Sequence, residues 1–362
     1  MKVLFLTNLA SRYRVDFFNE LGKLCELTVW YEYRDASMET EKRDDKWFGL
    51  EAENFTQSYG VSFGEYKNFD IVIICGFSTK MQILSILYLS ALKIPFYIEA
   101  DGGVIRDTGL LKRTLKKLLL KNPAGCFTPN GATDDFLRYC GYSGEVFYRY
   151  PFTSLKSADI LHAPVADSEK TQLKQRLSMK EEKTVLFVGS LIHRKGVDIL
   201  IRAAAKFDSS AGVYIVGGQP TEELSELCRQ LKLSNIHFID FKEKEVLADY
   251  FKASDVFVLP TRTDIWGLVV GEAMSFALPV VTTDMCVAGV ELIENGVNGF
   301  IFPVDDTAAL SDSVNRILRD RDLQESMAAA NLRKISAYTI ENMAAAHITA
   351  FEKIMEEKKR GG

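Results

Sequence analysis

The stretch LPTRTDIWGLVVGEAMSFALPVV, Leu259 to Val281, reads in turn as strand, loop, helix and strand. An apolar run stops at Pro260, a polar loop carries Asp264, a helix opens near Gly267 with Glu272 in its second turn, and LPVV begins the next strand. Strand, helix and strand in succession form the repeating unit of a parallel sheet. The first N–H groups of such a helix, here on Gly267, Leu268 and Val269, have no intrahelical acceptor and lie at the positive end of the helix dipole, which suits an anion. Ile265 and Trp266 lead the loop into that helix. Two carboxylates beside an anion site suit a polyhydroxylated ligand, because a carboxylate only accepts hydrogen bonds and hydroxyls need acceptors. The plain alternative is that Asp264 caps the helix and Glu272 lies in solvent.

The same alternation extends upstream. TVLFVGS, VDILIRAAAKF, GVYIVGG, TEELSELCRQLK, IHFID, KEVLADYFKAS and DVFVLP alternate strand and helix from Thr184 to Pro260. So do KVLFLTN, VDFFNELGKL, ELTVWYE, DIVIICG, MQILSILYLSAL, PFYIEAD, a further helix, GCFTPN and EVFYRY in the first part of the chain. Between the two series the polar, proline-containing segment Phe152 to Glu182 reads as a linker. The expected fold class is α/β, with two Rossmann-like domains, 1–155 and 156–339, facing each other across a cleft. A last amphipathic helix over 340–360 carries Met343, His347, Ile348, Phe351 and Ile354 on one side and can pack on either half, including back on the first.

A length of 362 residues suits two domains of ordinary size. A formal charge of −5 argues against a general nucleic-acid surface. Cys25, Cys75, Cys126, Cys140, Cys228 and Cys286 are scattered without a C-x-x-C pair and read as reduced thiols of a cytosolic protein. The first residues read as a strand and not as a signal peptide. The longest apolar run, Met81 to Leu92, is shorter than the roughly 20 residues that span a bilayer. No His/Cys/Asp set has metal-ligand spacing, so no metal and no cofactor are expected.

A second stretch, VGSLIHRKGVDILI, Val188 to Ile201, places Gly189 and Ser190 at a strand end. His193, Arg194 and Lys195 follow, before a helix that opens at Gly196. Cations there can neutralise a diphosphate; the alternative is a solvated basic turn. VYIVGGQP sets Gly217 and Gly218 after a strand, and ENGVNGFIFPVDD follows a segment containing Gly289. Gly289 either lets the backbone approach a ligand or makes an ordinary turn.

Taken together these stretches resemble the retaining family 4 glycosyltransferases, which have the two-domain GT-B fold. An acid, seven residues, then Glu, followed by Ala-Met and a Pro-Val strand, is similar to that family's E-x7-E motif, with Asp264 and Glu272 at its ends. The resemblance implies that Asp264 contacts the donor sugar and Glu272 the ribose. It also implies a diphosphate clamp similar to G-R-L-x-x-x-K-G, with Lys195 at the Lys position. Ser190 stands where Arg is usual, so Arg194 is expected to supply the second cation, and Asp stands where the first Glu is usual.

In the first half, Arg12, Tyr13 and Arg14 follow the first strand, and Glu99 to Gly103 follow PFYIEA. Many family members carry a His after that strand beside the reacting carbon; here Asp101 is the nearest polar candidate, or else part of a structural D-G-G turn. Over 110–121, LLKRTLKKLLLK sets Leu111, Leu115, Leu118 and Leu119 against Lys112, Arg113, Lys116, Lys117 and Lys121. Such a helix either lies on an anionic membrane or docks its leucines on the sheet with its lysines in solvent.

The expected activity is metal-independent, retaining transfer of a hexosyl-type sugar from a nucleotide-diphosphate sugar, a UDP-sugar. The expected acceptor is a lipid-linked saccharide of surface polysaccharide or glycoconjugate synthesis, used in the cytoplasm at the inner face of the membrane. The alternatives are a UDP-sugar 2-epimerase and a non-catalytic nucleotide-sugar-binding subunit. No G-x-G-x-x-G opens a strand–helix unit, which disfavours a dinucleotide dehydrogenase.

Overall fold

Val3, Leu4, Phe5 and Leu6 of β1 (Lys2–Thr7) are all wholly buried, and a strand apolar on both faces needs cover above and below. In the computed structural model, which describes residues 1–34, 51–105 and 109–361, helices supply that cover. The chain continues through α1 (Arg12–Gly22), β2 (Glu26–Tyr31), β3 (Thr56–Tyr59), β4 (Ile71–Cys75) and α2 (Lys80–Ala91). β5 (Tyr97–Glu99), α3 (Leu110–Leu119), β6 (Gly125–Thr128), α4 (Gly131–Cys140) and β7 (Phe147–Arg149) complete a parallel sheet in the order β3-β2-β1-β4-β5-β6-β7.

A second sheet follows. It is built from α5 (Asp167–Arg176), β8 (Lys183–Val188), α6 (Val197–Ala204), β9 (Ala211–Val216), α7 (Glu222–Gln230), β10 (Ile236–Ile239), α8 (Lys244–Ala253) and β11 (Val256–Leu259). Then come α9 (Leu268–Ser275), β12 (Val280–Thr283), α10 (Val287–Leu292), β13 (Gly299–Phe302), α11 (Thr307–Arg319) and α12 (Arg321–Ile335). Its strands are again all parallel, in the order β10-β9-β8-β11-β12-β13. The last helix, α13 (Ile340–Gly361), returns to the first sheet. The chain thus divides into one unit of Met1–Lys156 with Tyr338–Gly362 and another of Ser157–Ala337.

The apolar face of α13 explains its choice. Met343, His347, Phe351 and Ile354 are buried, with Ile348 only half-buried, and the helix runs along α1 and β7. The His347 ring stacks on Phe127 at 5.2 Å and lies 4.9 Å from the Phe17 ring. Burying one large apolar side chain contributes about 1.5–3 kcal/mol, so this face holds the helix firmly.

Two readings of the sequence are corrected. The segment 152–182 is not a plain linker, since it contains α5, which buries Leu173 and joins Lys170 and Lys174 to Asp255. The leucines of 110–121 do not dock as a row either. Leu119 is buried, but Leu110, Leu111, Leu115 and Leu118 are 83, 89, 42 and 56% exposed. The helix rests instead on α4, where Arg113 lies over the Tyr139 ring at 5.3 Å and Lys116 over the Phe136 ring at 5.7 Å. Long cationic side chains cover aromatic faces with their stems, which leaves the leucines outside.

Candidate functional site

β8 and β11 are neighbours in the second sheet, so the loops after them leave from one edge. Hydrogen bonds tie those two loops together. The Arg262 N–H donates to Arg194 O at 2.8 Å, the Thr261 hydroxyl donates to the same oxygen at 2.9 Å, and the Arg194 guanidinium donates to Thr263 O at 3.1 Å. Gly196 permits the approach: its φ is +71°, and a Cβ there would lie 2.0 Å from Pro260 O. A larger residue would push the loops apart. Arg262 adds a bidentate pair to Asp198 at 2.8 and 2.7 Å.

The result is a paired charge at the sheet edge. Lys195 Nζ donates to Asp264 Oδ2 at 2.5 Å, and Arg194 stands 3.4 Å from Asp264 Oδ1. The Lys195 and Asp264 side chains are only 14% and 12% exposed, so water screens the pair weakly. Asp264 does not cap α9. That helix begins after Gly267, at φ +97°, with no side-chain cap, and a Cβ on Gly267 would lie 2.8 Å from Cys286 Sγ. The Asp264 N–H donates to Met285 O at 2.9 Å, and the buried Trp266 accepts at its carbonyl from the Ala288 N–H at 2.7 Å. Ile265 is exposed, while Leu268, Val269 and Glu272 are half-buried.

Gly189 and Gly217 end β8 and β9, donating to Val216 O and Ile239 O, each at 2.9 Å, and Ser190 is exposed. The sequence-predicted Asp264, Lys195 and Arg194 are therefore brought together. Gly289 lies within α10, where a Cβ would meet Thr282 Cγ2 at 2.4 Å, so its lack of a side chain serves helix-to-strand packing. Thr263 Oγ1, which the sequence reading passed over, is buried with no hydrogen-bond partner among the described residues. Also among the described residues, no group of three His, Cys, Asp or Glu side chains is arranged to hold a metal ion.

The first unit has its own charged cluster, at the carboxyl end of β5. Arg14, buried in α1, donates to Asp101 Oδ2 at 2.6 Å and also to Glu99 Oε1. Glu99 Oε2 lies 3.2 Å from His347 Nε2, and His347 Nδ1 lies 2.8 Å from Met343 O. Tyr150 donates to Asp101 Oδ1 at 3.0 Å and Tyr13 to Oδ2 at 3.5 Å. Asp101 is the member nearest solvent, with its side chain 21% exposed, whereas Glu99 and His347 are wholly buried. Arg12 is exposed at the start of α1. The sequence reading missed Glu99 and His347 as members of this site. A charged residue closing a buried strand and a His on an apolar helix face were the signals for them. Tyr31 OH and Glu32 Oε2, at the end of β2, are buried without a hydrogen-bond partner among the described residues.

Residues 168–334, nearly all of the second unit, match the family model described as glycosyl transferases group 1. An uncharacterised glycosyltransferase of Methanocaldococcus jannaschii is 31% identical over 196 residues, 52% of this chain and 50% of that protein. The alpha-D-kanosaminyltransferase of Streptomyces kanamyceticus is 29% identical over 206 residues, 54% of this chain and 51% of that protein. The matched part thus spans about half the length of these curated relatives. Among solved structures, Anabaena HepE in complex with UDP superposes with a TM-score of 0.78 at 16% identity, covering 98% of this chain and 100% of that one. WaaG, a glycosyltransferase involved in lipopolysaccharide biosynthesis, gives 0.66 at 16% identity, over 96% of this chain and 99% of that one. At such identities the likeness shows the fold, which is GT-B.

Burial and neighbouring charge compete at the carboxyls of the first-unit cluster. Burial alone would raise Glu99, but the Arg14 charge and the His347 hydrogen bond outweigh it and hold its carboxyl down at about 2. Burial lifts Asp101 above the usual carboxylate range against the pull of Arg14, and the neighbouring Glu99 adds to the rise. A carboxyl depressed in the folded state stabilises it above the unfolded value of 4.5 and loses that contribution as pH falls toward about 2. Glu99→Gln should cost about 3–5 kcal/mol near neutral pH, because Arg14 loses a buried partner. Urea unfolding of both proteins at a series of pH values should show the gap closing below about pH 4.5. A gap that stays constant down to acid would remove the charge from this account.

Proposed function

We propose that the chain is a retaining glycosyltransferase, moving a hexosyl-type sugar from a UDP-sugar onto a lipid-linked saccharide in surface polysaccharide or glycoconjugate synthesis. The observation that carries this reading is the Lys195–Asp264 pair beside the first turn of α9, with Glu272 one turn on, inside a group 1 domain. The second unit takes the donor: Glu272 holds the ribose, Asp264 the sugar, and the backbone at Gly189, Ser190, Gly217, Gly267, Leu268 and Val269 lies along the diphosphate. The UDP bound by HepE, a protein of the same fold, supports the choice of donor. The first unit takes the acceptor, with Asp101 as its polar group.

As the bond from the anomeric carbon to the diphosphate oxygen breaks, negative charge gathers on the leaving group. Lys195, Arg194 and the amide end of α9 are arranged to stabilise that charge without a metal ion. The acceptor oxygen bonds to the anomeric carbon on the face the diphosphate leaves, and its proton passes to the departing phosphate oxygen, which retains configuration. Lys195→Ala and Glu272→Ala should each lower kcat by about 10²–10³, the usual effect of removing one such electrostatic contact. Acceptor-dependent release of UDP, unaffected by EDTA, is the assay. Wild-type rates in both folded variants would remove the site assignment. Nucleotide sugar isomerised without acceptor would make the enzyme a 2-epimerase, and no turnover at all a silent binding subunit.

α3 supports peripheral association with the inner face of an anionic membrane. Of Lys112, Arg113, Lys116, Lys117 and Lys121, those not laid on the α4 rings each contribute about 1 kcal/mol near such a surface, and the exposed Leu110, Leu111, Leu115 and Leu118 can enter the head-group boundary. Among the described residues no helix is long and apolar enough to cross a membrane. The wild type should sediment with phosphatidylglycerol vesicles at low salt and much less at high salt, since charges are screened within about 10 Å at 0.1 M. Changing the five cations to Gln should abolish binding. A wild type that ignores these vesicles at low salt would remove both the membrane and its support for a lipid-linked acceptor.

A further inference from the structure

Lys195 and Asp264 satisfy each other at 2.5 Å. We propose that Asp264 makes the site prefer the sugar-bearing donor over the bare nucleoside diphosphate, by competing with phosphate for Lys195. This inference rests on the donor-site reading above and assigns a selectivity to it.

A diphosphate reaching Lys195 brings a second anion against the Asp264 carboxylate, in a place where both side chains are almost withdrawn from water. The carboxylate cannot simply move off. The Asp264 N–H is held by Met285 O at 2.9 Å, its carbonyl accepts from the Val287 N–H at 3.3 Å, and buried Trp266 follows two residues on. Arg194 offers limited compensation, because it stands 3.4 Å from the carboxylate, is 42% exposed and already donates to Thr263 O. A carboxylate that gives up an ammonium needs other donors. The terminal phosphate of a bare nucleoside diphosphate supplies none, whereas a sugar attached there supplies several hydroxyls. With the sugar present the released carboxylate is repaid in hydrogen bonds; without it, only the repulsion remains. Once the sugar has passed to the acceptor, Asp264 turns back to Lys195 and weakens the hold on the product, which speeds its release.

Calorimetric titration of UDP and UDP-glucose into wild type, Asp264→Asn and Lys195→Ala tests this. Asp264→Asn should bind UDP about tenfold or more tightly than wild type, the worth of one lost charge conflict, while UDP-glucose gains nothing. The preference for the sugar-bearing ligand should shrink by the same factor, and inhibition by UDP should deepen. Lys195→Ala should weaken both ligands. If the Asn variant melts early, Asp264→Ala carries the same expectation. UDP affinity unchanged or reduced in a folded Asp264 variant, with Lys195→Ala still weak, overturns the competition and leaves the donor site standing. Wild type that binds neither UDP nor UDP-glucose, or Lys195→Ala that binds both as tightly as wild type, overturns the donor site and this inference with it.

Discussion

Among the described residues every strand pairing in both sheets is parallel, and that constraint decides where chemistry can sit. Parallel strands all end at the same edge, so the loops that follow them converge there while the returning segments occupy the other. In the second sheet the loops after β8, β9 and β11 carry Gly189, Lys195, Gly217 and Asp264 to one edge. In the first, β1, β2 and β5 are followed by α1 with Arg14, by Glu32, and by Asp101. Helices on both faces make the central strands apolar, so charged groups gather at the strand ends and in these loops.

The opposite edge of the second sheet supplies a contrast. Asp255, just before β11, accepts from Lys170 at 2.8 Å, Lys174 at 3.0 Å, the Thr184 N–H at 2.8 Å and the Thr184 hydroxyl at 2.9 Å. Burial would raise its carboxyl, but the two lysines hold it below the usual range. Four donors fill the capacity of a carboxylate, so this acid fastens α5 to the sheet and has no room for a ligand. Asp264 has one close lysine and an arginine at 3.4 Å. Two buried acids in one unit thus differ in saturation, and the less saturated one lies at the edge where the loops converge.

The strands were legible because a fully buried parallel strand has to be an unbroken apolar run, and VLFL, IVII and VFVL can be little else. The second-unit loops were legible because glycine and charge at strand ends have local causes, and Lys195 and Asp264 each stood in such a loop although 69 positions apart. What escaped lacked a local cause. α5 buries only Leu173, so its sequence reads as linker. The orientation of α3 depends on Phe136 and Tyr139 of α4, a helix too polar to be noticed between two strands. Glu99 and His347 are 248 positions apart, and nothing in either neighbourhood names the other.

The departures from the family pattern become coherent in the same terms. Ser190 leaves its strand end without a cation, and the hydrogen bonds between the β8 and β11 loops bring Arg194 beside Asp264. Asp264 is one methylene shorter than the usual Glu, and the close approach at Gly196 brings Lys195 within 2.5 Å of it. The first unit also lacks a His after β5, but a His is still present in the cluster, supplied by α13 through Glu99 and Arg14 to Asp101. Its ring is wholly buried, so it acts by fixing Glu99 and leaves Asp101 as the group nearest solvent. The last helix is therefore part of what orients the first-unit cluster. Arg14 and His347 together hold the buried Glu99 carboxyl down, and the second of them arrives only when α13 has packed against α1.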